Sequence, residues 1–371
     1  MDSIDIKIDP FTRTPGVAGA AFIDMHYADE IVTNFESDLS SKYVYKIVGL
    51  RGSGKSVEYG KIINAISQKS NWLVYTLSAA GNPTTALISK LSRESFIDEK
   101  VHETSISAGG SAEIGIPLVK GAADATVTRT SQLNPMYYSE EAVLGEMLQK
   151  ANDSGKKVLV GIDDIASTPE MVKFLSLWGS LLLEEKREIY FVCTGLYQNI
   201  EDFSKERNLT FFKRSDLIEI KALDLFSVSA MYQTLLGIKE DEAVRMAKFT
   251  KGYAYAYQVL GSLYFSQPEP KSIDRLIPDF DKILFRDSYE LIWNTLTHAE
   301  KDMVRNIVST SGKTSDIKKR MKAPNSYSSL RSRLESKHLI NTDTYGYISI
   351  DLPRFERFVK LWHWDDKASH E

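Results

Sequence analysis

Up to Ile220, short apolar runs alternate with amphipathic stretches along the chain; beyond it the spacing turns helical. Tyr43–Val48 is β-branched and aromatic, as a buried strand is, and Lys55–Ser67 carries Val57, Ile62, Ile63 and Ile66 near the helical repeat. The same reading predicts strands over Trp72–Leu77, Lys157–Ile162, Glu188–Thr194 and Asp216–Ile220. Between them it predicts helices over Thr84–Leu91, Glu140–Ala151 and Pro169–Glu184. Strands that alternate with helices imply an α/β domain with a parallel sheet covered on both faces.

After Ile220 the pattern predicts three helices, Phe226–Leu236, Glu240–Phe249 and Tyr253–Phe265, as a small helical lid closed by the breaker Gln267-Pro268-Glu269-Pro270. Helices over Ala299–Val308, Thr314–Met321 and Ser326–Lys337 follow. Leu339-Ile340 then leads through Asp343-Thr344-Tyr345-Gly346 into Tyr347–Ile350, a turn between two short strands, and three helices with a hairpin are the order of a winged helix. Val101–Gln132 differs in composition: Ser, Gly, Ala and Thr dominate, and Gly109-Gly110 offers a turn. It reads as an inserted hairpin, about residues 101–132, which either pairs its edge with a partner or packs as a flap on its own domain. The expected organisation is residues 1–222 for the α/β domain, 223–285 for the lid and 286–371 for the winged helix.

The segment from Gly49 to Ser56, Gly-Leu-Arg-Gly-Ser-Gly-Lys-Ser, has the G-x-x-x-x-G-K-[S/T] spacing and joins a strand to a helix, the context in which that spacing has physical meaning. Glycines let backbone N–H groups close around phosphates, and the helix N-terminus adds a favourable dipole. The expected phosphate-binding set is Gly49, Arg51, Gly52, Ser53, Gly54, Lys55, Ser56 and Val57. Lys55 reaches the β- and γ-phosphates of a nucleoside triphosphate and Ser56 ligates Mg²⁺. The strand Lys157–Ile162 ends in Asp163-Asp164, the pattern of the acidic strand that faces a P-loop across a sheet. Asp163 is expected in the Mg²⁺ shell and Asp164 where a carboxylate orients or deprotonates the attacking water. The same Asp pair is also a good helix start. Thr194 closes the next strand, either reaching toward the γ-phosphate or water or simply ending the strand. The acidic strand follows the P-loop strand by about three elements, as in P-loop ATPases that place another strand between the two.

Composition narrows the class. At 371 residues the chain can hold two or three domains, and 43% hydrophobic with 26% charged residues is ordinary for a globular protein. Cys193 is the single cysteine, which excludes an intramolecular disulfide and a cysteine metal cluster. There is no 18-residue apolar stretch, and the polar start Met1-Asp2-Ser3-Ile4-Asp5 is no secretory leader, so a cytoplasmic location with no membrane partner is expected. The net charge of −4 gives no global nucleic-acid signature. Locally, from His298 to Ile340, ten basic side chains stand against four acidic ones, an excess of +6. Ser326, Tyr327, Ser328, Arg331 and Arg333 lie on the helix that would enter a major groove. Arg331 and Arg333 are two positions apart, so only one is expected to face duplex DNA. Winged helices also dock proteins, and that reading stays open.

Together these segments resemble bacterial and archaeal AAA+/STAND-type ATP-binding proteins related to origin-recognition initiator ATPases. Asp9-Pro10-Phe11 with Pro15-Gly16 is similar to the family's N-terminal segment, Ile162-Asp163-Asp164 to its acidic motif, Thr194-Gly195-Leu196 to its sensor segment, and Thr210-Phe211-Phe212-Lys213-Arg214 to its T-F-x-x-R box. Gly252-Tyr253-Ala254-Tyr255-Ala256-Tyr257-Gln258 resembles the lid helix, with Ala254 in place of the family's proline and no arginine there. The resemblance implies an AAA+ ATPase fold with lid and winged helix, ATP and Mg²⁺ as cofactors, an N-terminal segment against the adenine, and homo-oligomers in the ATP state. It implies that Arg214 is either a finger for a neighbouring subunit's γ-phosphate or an ordinary surface cation. Two functional classes follow: a DNA-associated ATPase, or a STAND-like signalling or scaffold ATPase whose winged helix binds protein.

Overall fold

The computed structural model describes residues 8–97, 139–184, 187–268 and 271–364. The hairpin read into residues 101–132 lies outside them. Five strands, β1 (Val44–Val48), β2 (Trp72–Leu77), β3 (Lys157–Ile162), β4 (Ile189–Gly195) and β5 (Asp216–Glu219), form one parallel sheet in the order β2-β3-β4-β1-β5. β4 therefore lies between the P-loop strand β1 and the acidic strand β3. The register sets Ile47 opposite Thr194 and Ile162 opposite Cys193, so β1, β3 and β4 end together at one edge.

The central strands are buried along their whole length because helices cover both faces. Successive side chains divide between two cores, as the pleat requires. Tyr45, Ile47, Leu159 and Val192 pack with Ile31, Phe35, Ile62 and Ile66 of the helices Tyr27–Glu36 and Lys55–Ser67. Val44, Val48, Val158 and Val160 pack on the other side against Leu87, Leu144, Phe174 and Trp178 of the helices Pro83–Leu91, Glu140–Asp153 and Pro169–Leu182. The fold is thus an α/β P-loop type with a five-stranded parallel sheet, followed by a helical region.

In that region Leu225–Leu236, Glu240–Thr250 and Ala254–Ser266 form the lid helices, close to the spans expected from spacing. The helix Ile273–Leu284 was not expected from spacing and carries Pro278 in its interior. It continues through a π-helical turn, Phe285–Tyr289, into Glu290–Asn294, so a helix crosses the 285/286 boundary drawn from sequence. Its inner face buries Ile273, Leu276, Phe280 and Leu284, and Asp281 pairs there with Arg354 and Arg357. Three helices, His298–Ser309, Thr314–Arg320 and Tyr327–Ser336, precede an antiparallel pair, β6 (Ile340–Asn341) and β7 (Ser349–Ile350), and a last helix, Phe355–Trp362. One continuous core runs from Phe11 and Ala21 through Tyr232 and Tyr257 to Trp293, Leu334 and Phe358. The lid and the C-terminal module share it.

The first helix of this module is held by a capping box between Thr297 and Glu300. Glu300 is 1% exposed; both its carboxylate oxygens accept from Lys337 Nζ at 2.9 Å, and one of them also accepts from the Thr297 N–H and hydroxyl. Burial raises the Glu300 pKa, but the Lys337 ammonium and Thr297 outweigh it and hold the carboxyl below its ordinary value of 4.5. Stability from this pair is therefore present above about pH 4.5 and lost as pH falls through the depressed value. Lys337→Ala is expected to cost about 3 kcal/mol at neutral pH by leaving a buried carboxylate unpaired. Urea melts at pH 7 and pH 3.5 check this, with the difference from wild type shrinking at the lower pH.

Candidate functional site

At the edge where β1, β3 and β4 end, a cleft of about 450 Å³ opens, bounded by the P-loop, the acidic motif, the N-terminal segment and the lid. The P-loop leaves β1 at Gly49 and enters the helix at Lys55. Gly52 (φ +76°) and Gly54 (φ +104°) take left-handed conformations that an L side chain strains to adopt. At Gly52 room is short as well: a Cβ there would lie 2.5 Å from the Tyr253 hydroxyl.

Lys55 is 8% exposed, and its Nζ donates to the Gly49 and Leu50 carbonyls at 3.0 and 2.8 Å. Burial pushes its pKa from 10.5 down to about 8, with Asp164 and Asp163 opposing the shift and Arg51 adding to it. Ser56 Oγ donates to Asp163 Oδ1 at 3.2 Å. Two hard oxygen donors side by side at the start of a helix suit a small divalent cation such as Mg²⁺. Arg51, Ser53 and Val57 line the cleft with them.

Thr194 is fully buried and ties the acidic motif together. Its hydroxyl accepts the Asp164 N–H at 2.8 Å and gives its one hydrogen to the Asp163 carboxylate in a short bond. With that hydrogen committed, Thr194 positions the two aspartates; it does not donate to a phosphate from this arrangement. Asp164 is exposed to the cleft and has a positive φ of 55°, which Asp tolerates better than most residues. Its carboxylate can meet a water opposite the P-loop.

The N-terminal segment forms the opposite wall through Thr12 to Val17, Gly19 and Phe22. It is laced to the lid: Thr12 N–H donates to Gln258 Oε1 at 2.9 Å, and Ala21 O accepts from Tyr257 Oη at 2.8 Å and Gln258 Nε2 at 3.2 Å. The lid also grips the P-loop, Tyr255 N–H donating to Gly52 O at 3.0 Å and Tyr253 Oη to Arg51 O at 2.5 Å. Tyr255, which the sequence placed in the lid helix without a role at the site, lines the cleft, as do Asp287 and Ser288, which neither motif nor spacing marked. The alternation of Tyr253, Tyr255 and Tyr257 was the available signal for Tyr255, and nothing local to residues 287–288 pointed to the P-loop.

Arg214 ends the short helix Thr210–Arg214, is exposed, and is not among the residues lining the cleft. The proposed groove helix is also altered by its surroundings. Tyr327 is buried with Lys318 over its ring, and Arg331 Nη2 donates to Thr342 at 2.8 Å, while Ser328 and Arg333 are exposed. Lys337 belongs to the Glu300 pair, and Arg305 Nε donates to His363 O at 2.8 Å. Several of the ten basic residues thus serve the module's interior; Lys318, Lys319, Arg320, Lys322 and Arg333 remain exposed. No helix among the described residues is long and apolar enough to cross a membrane.

Residues 286–359 match the model of a family described as a domain of unknown function (DUF8462). No curated protein matches the chain. Among solved structures, the ORC2 protein of Aeropyrum pernix in its ADPNP-ADP complexes is 13% identical, over 96% of this chain and 95% of that one, with a TM-score of 0.56. The Cdc6p protein of Pyrobaculum aerophilum is 12% identical over 92% of this chain and 94% of that one, with a TM-score of 0.42. A signal-transduction ATPase (STAND protein) of Pyrococcus horikoshii with a tetratricopeptide repeat sensor is 15% identical over 96% of this chain and 44% of that one, with a TM-score of 0.40. At such identities the likeness is one of fold: this chain shares the fold of the ORC2 protein along nearly the whole of both chains, an α/β P-loop fold followed by a helical region.

Proposed function

We propose that this chain is an ATP-binding AAA+-type ATPase in which Mg²⁺-ATP binding and hydrolysis drive a conformational or assembly switch. The observation that carries the reading is the cluster Ser56–Asp163–Thr194–Asp164, assembled from three strand ends around the P-loop lysine in one cleft. In this reading the P-loop amides and Lys55 hold the β- and γ-phosphates, and Ser56 and Asp163 hold Mg²⁺. The ion supplies neutralisation of charge on the phosphate oxygens. Thr194 keeps Asp163 on the metal side and Asp164 toward the cleft, where Asp164 orients the attacking water and takes up its proton. The N-terminal segment closes over the nucleobase. Arg214, exposed away from the cleft, acts on the nucleotide of a neighbouring copy, so hydrolysis follows assembly.

The C-terminal module is read as a winged helix that contacts duplex DNA through Arg333 and the exposed cations Lys318, Lys319, Arg320 and Lys322. A second reading, a STAND-like switch whose module binds protein, draws support from the way the module is seated. His338 Nε2 pairs with Glu219 of β5, its ring lies edge-on to Tyr197, and Lys251 of the lid donates to Ile350 O at 2.7 Å.

Lys55→Ala is expected to weaken a fluorescent ATP analogue by about 100-fold, since it removes a charge-assisted phosphate contact. Equal affinity would remove the P-loop assignment. Asp164→Asn should bind Mg²⁺-ATP normally but turn over about 100-fold more slowly, the size of a general-base contribution. Phosphate release at saturating ATP, measured over a range of protein concentrations, decides it. For duplex DNA, Arg333→Ala should reduce the slope of log affinity against log salt by about one, and Arg331→Ala should leave it unchanged. Anisotropy over a salt series with no change for either variant would favour the protein-binding reading.

A further inference from the structure

The π-helical turn Phe285–Tyr289 connects the C-terminal module to the P-loop by way of the lid residue Tyr253. Such turns frequently stand at functional sites because they rotate neighbouring side chains onto different faces. Here Phe285 and Tyr289 enter the module's aromatic core beside Phe358, and Tyr289 Oη donates to Pro353 O at 2.5 Å. Ser288 turns the other way. It is 2% exposed, and its Oγ lies 2.7 Å from Tyr253 Oη, which in turn lies 2.5 Å from Arg51 O at the P-loop apex.

The proton order in this chain follows from chemistry. A carbonyl has no hydrogen to give, so Tyr253 spends its one hydroxyl hydrogen on Arg51 O and must accept from Ser288. Burial drives the Tyr253 pKa far above its ordinary value of 10, which keeps the phenol a donor. Hydrogen bonds in series strengthen one another, and in a buried site each is worth more than in water. The Tyr255 N–H to Gly52 O bond holds the next carbonyl. Two successive peptide planes at the loop apex are thus set from the lid side, and the N–H of Gly52, the far end of the first plane, is aimed away from Tyr253.

We propose that Ser288 and Tyr253 are positioning residues in a one-way hydrogen-bond relay, by which the seating of the C-terminal module sets the geometry of the P-loop and so its affinity for phosphate. This rests on the nucleotide reading above. By linkage, nucleotide binding tightens the module to the same degree.

The test uses the full chain with AMPPNP and Mg²⁺. Calorimetry should show Tyr253→Phe and Ser288→Ala each weakening binding by about three- to tenfold, the range of one net hydrogen bond. The double variant should be no weaker than Tyr253→Phe, because Ser288 has nothing to donate to once the phenol hydroxyl is gone. In the wild type AMPPNP should slow amide exchange over Phe355–Trp362, and in Tyr253→Phe it should not. Thermal melts establish that each variant is folded. A wild type that binds AMPPNP while both single variants match it, or a double variant whose losses simply add, overturns the relay alone. A wild type that does not bind AMPPNP overturns the nucleotide reading and the relay with it.

Discussion

The parallel pairing of β4 with both β1 and β3 is the constraint on which the site depends. In a parallel sheet all strands end at the same edge, so loops leaving β1, β3 and β4 must meet there. Register then does the fine work. With Ile162 opposite Cys193, the next residue on each strand, Asp163 and Thr194, arrive side by side, and the buried threonine hydroxyl fastens both aspartates. A shift of one residue would turn Thr194 to the other face of the sheet. The cleft is thus a product of long-range strand pairing more than of any local segment.

Around this edge the chain closes with hydrogen bonds to main-chain groups. The N-terminal segment is held through Ala21 O and the P-loop through Gly52 O by the helix Ala254–Ser266, and the P-loop through Arg51 O by Tyr253 at that helix's N-cap. Among the described residues no arginine of the lid lines the cleft, and backbone-directed tyrosines stand at the start of this helix. The phenols are donors at neutral pH by their ordinary pKa of 10, and burial raises it further. The lid is thereby coupled to loop geometry directly, through the peptide planes at Arg51 and Gly52 of the P-loop.

The module beyond residue 285 is not a separate bead on a linker. Its aromatic core, with Tyr289, Trp293, Phe355 and Phe358, continues the lid's own core, and the helix that joins them contains the π turn. Charge there has two uses. Glu300–Lys337 and Asp281–Arg354 are internal pairs, while Lys318, Lys319, Arg320, Lys322 and Arg333 stay at the surface. A count of basic residues along the sequence merges the two classes, because an ion pair between positions 37 apart leaves no local mark.

Local periodicity and spacing determined the α/β class, most element spans, and the residue types of the P-loop and acidic motif, because each of these is written within a dozen neighbouring positions. The helices Tyr27–Glu36, Ile273–Leu284 and Phe355–Trp362 escaped that reading, the second owing to Pro278 in its interior. Tertiary structure alone decided that Thr194 spends its hydrogen on Asp163, that Arg331 is held by Thr342 while Arg333 is exposed, and that Ser288 lies against the lid phenol bound to the P-loop. The physical reason is the same in each case. A hydrogen bond or ion pair between distant segments depends on where the backbone brings two groups together, and residue type fixes only what each group can do when it arrives.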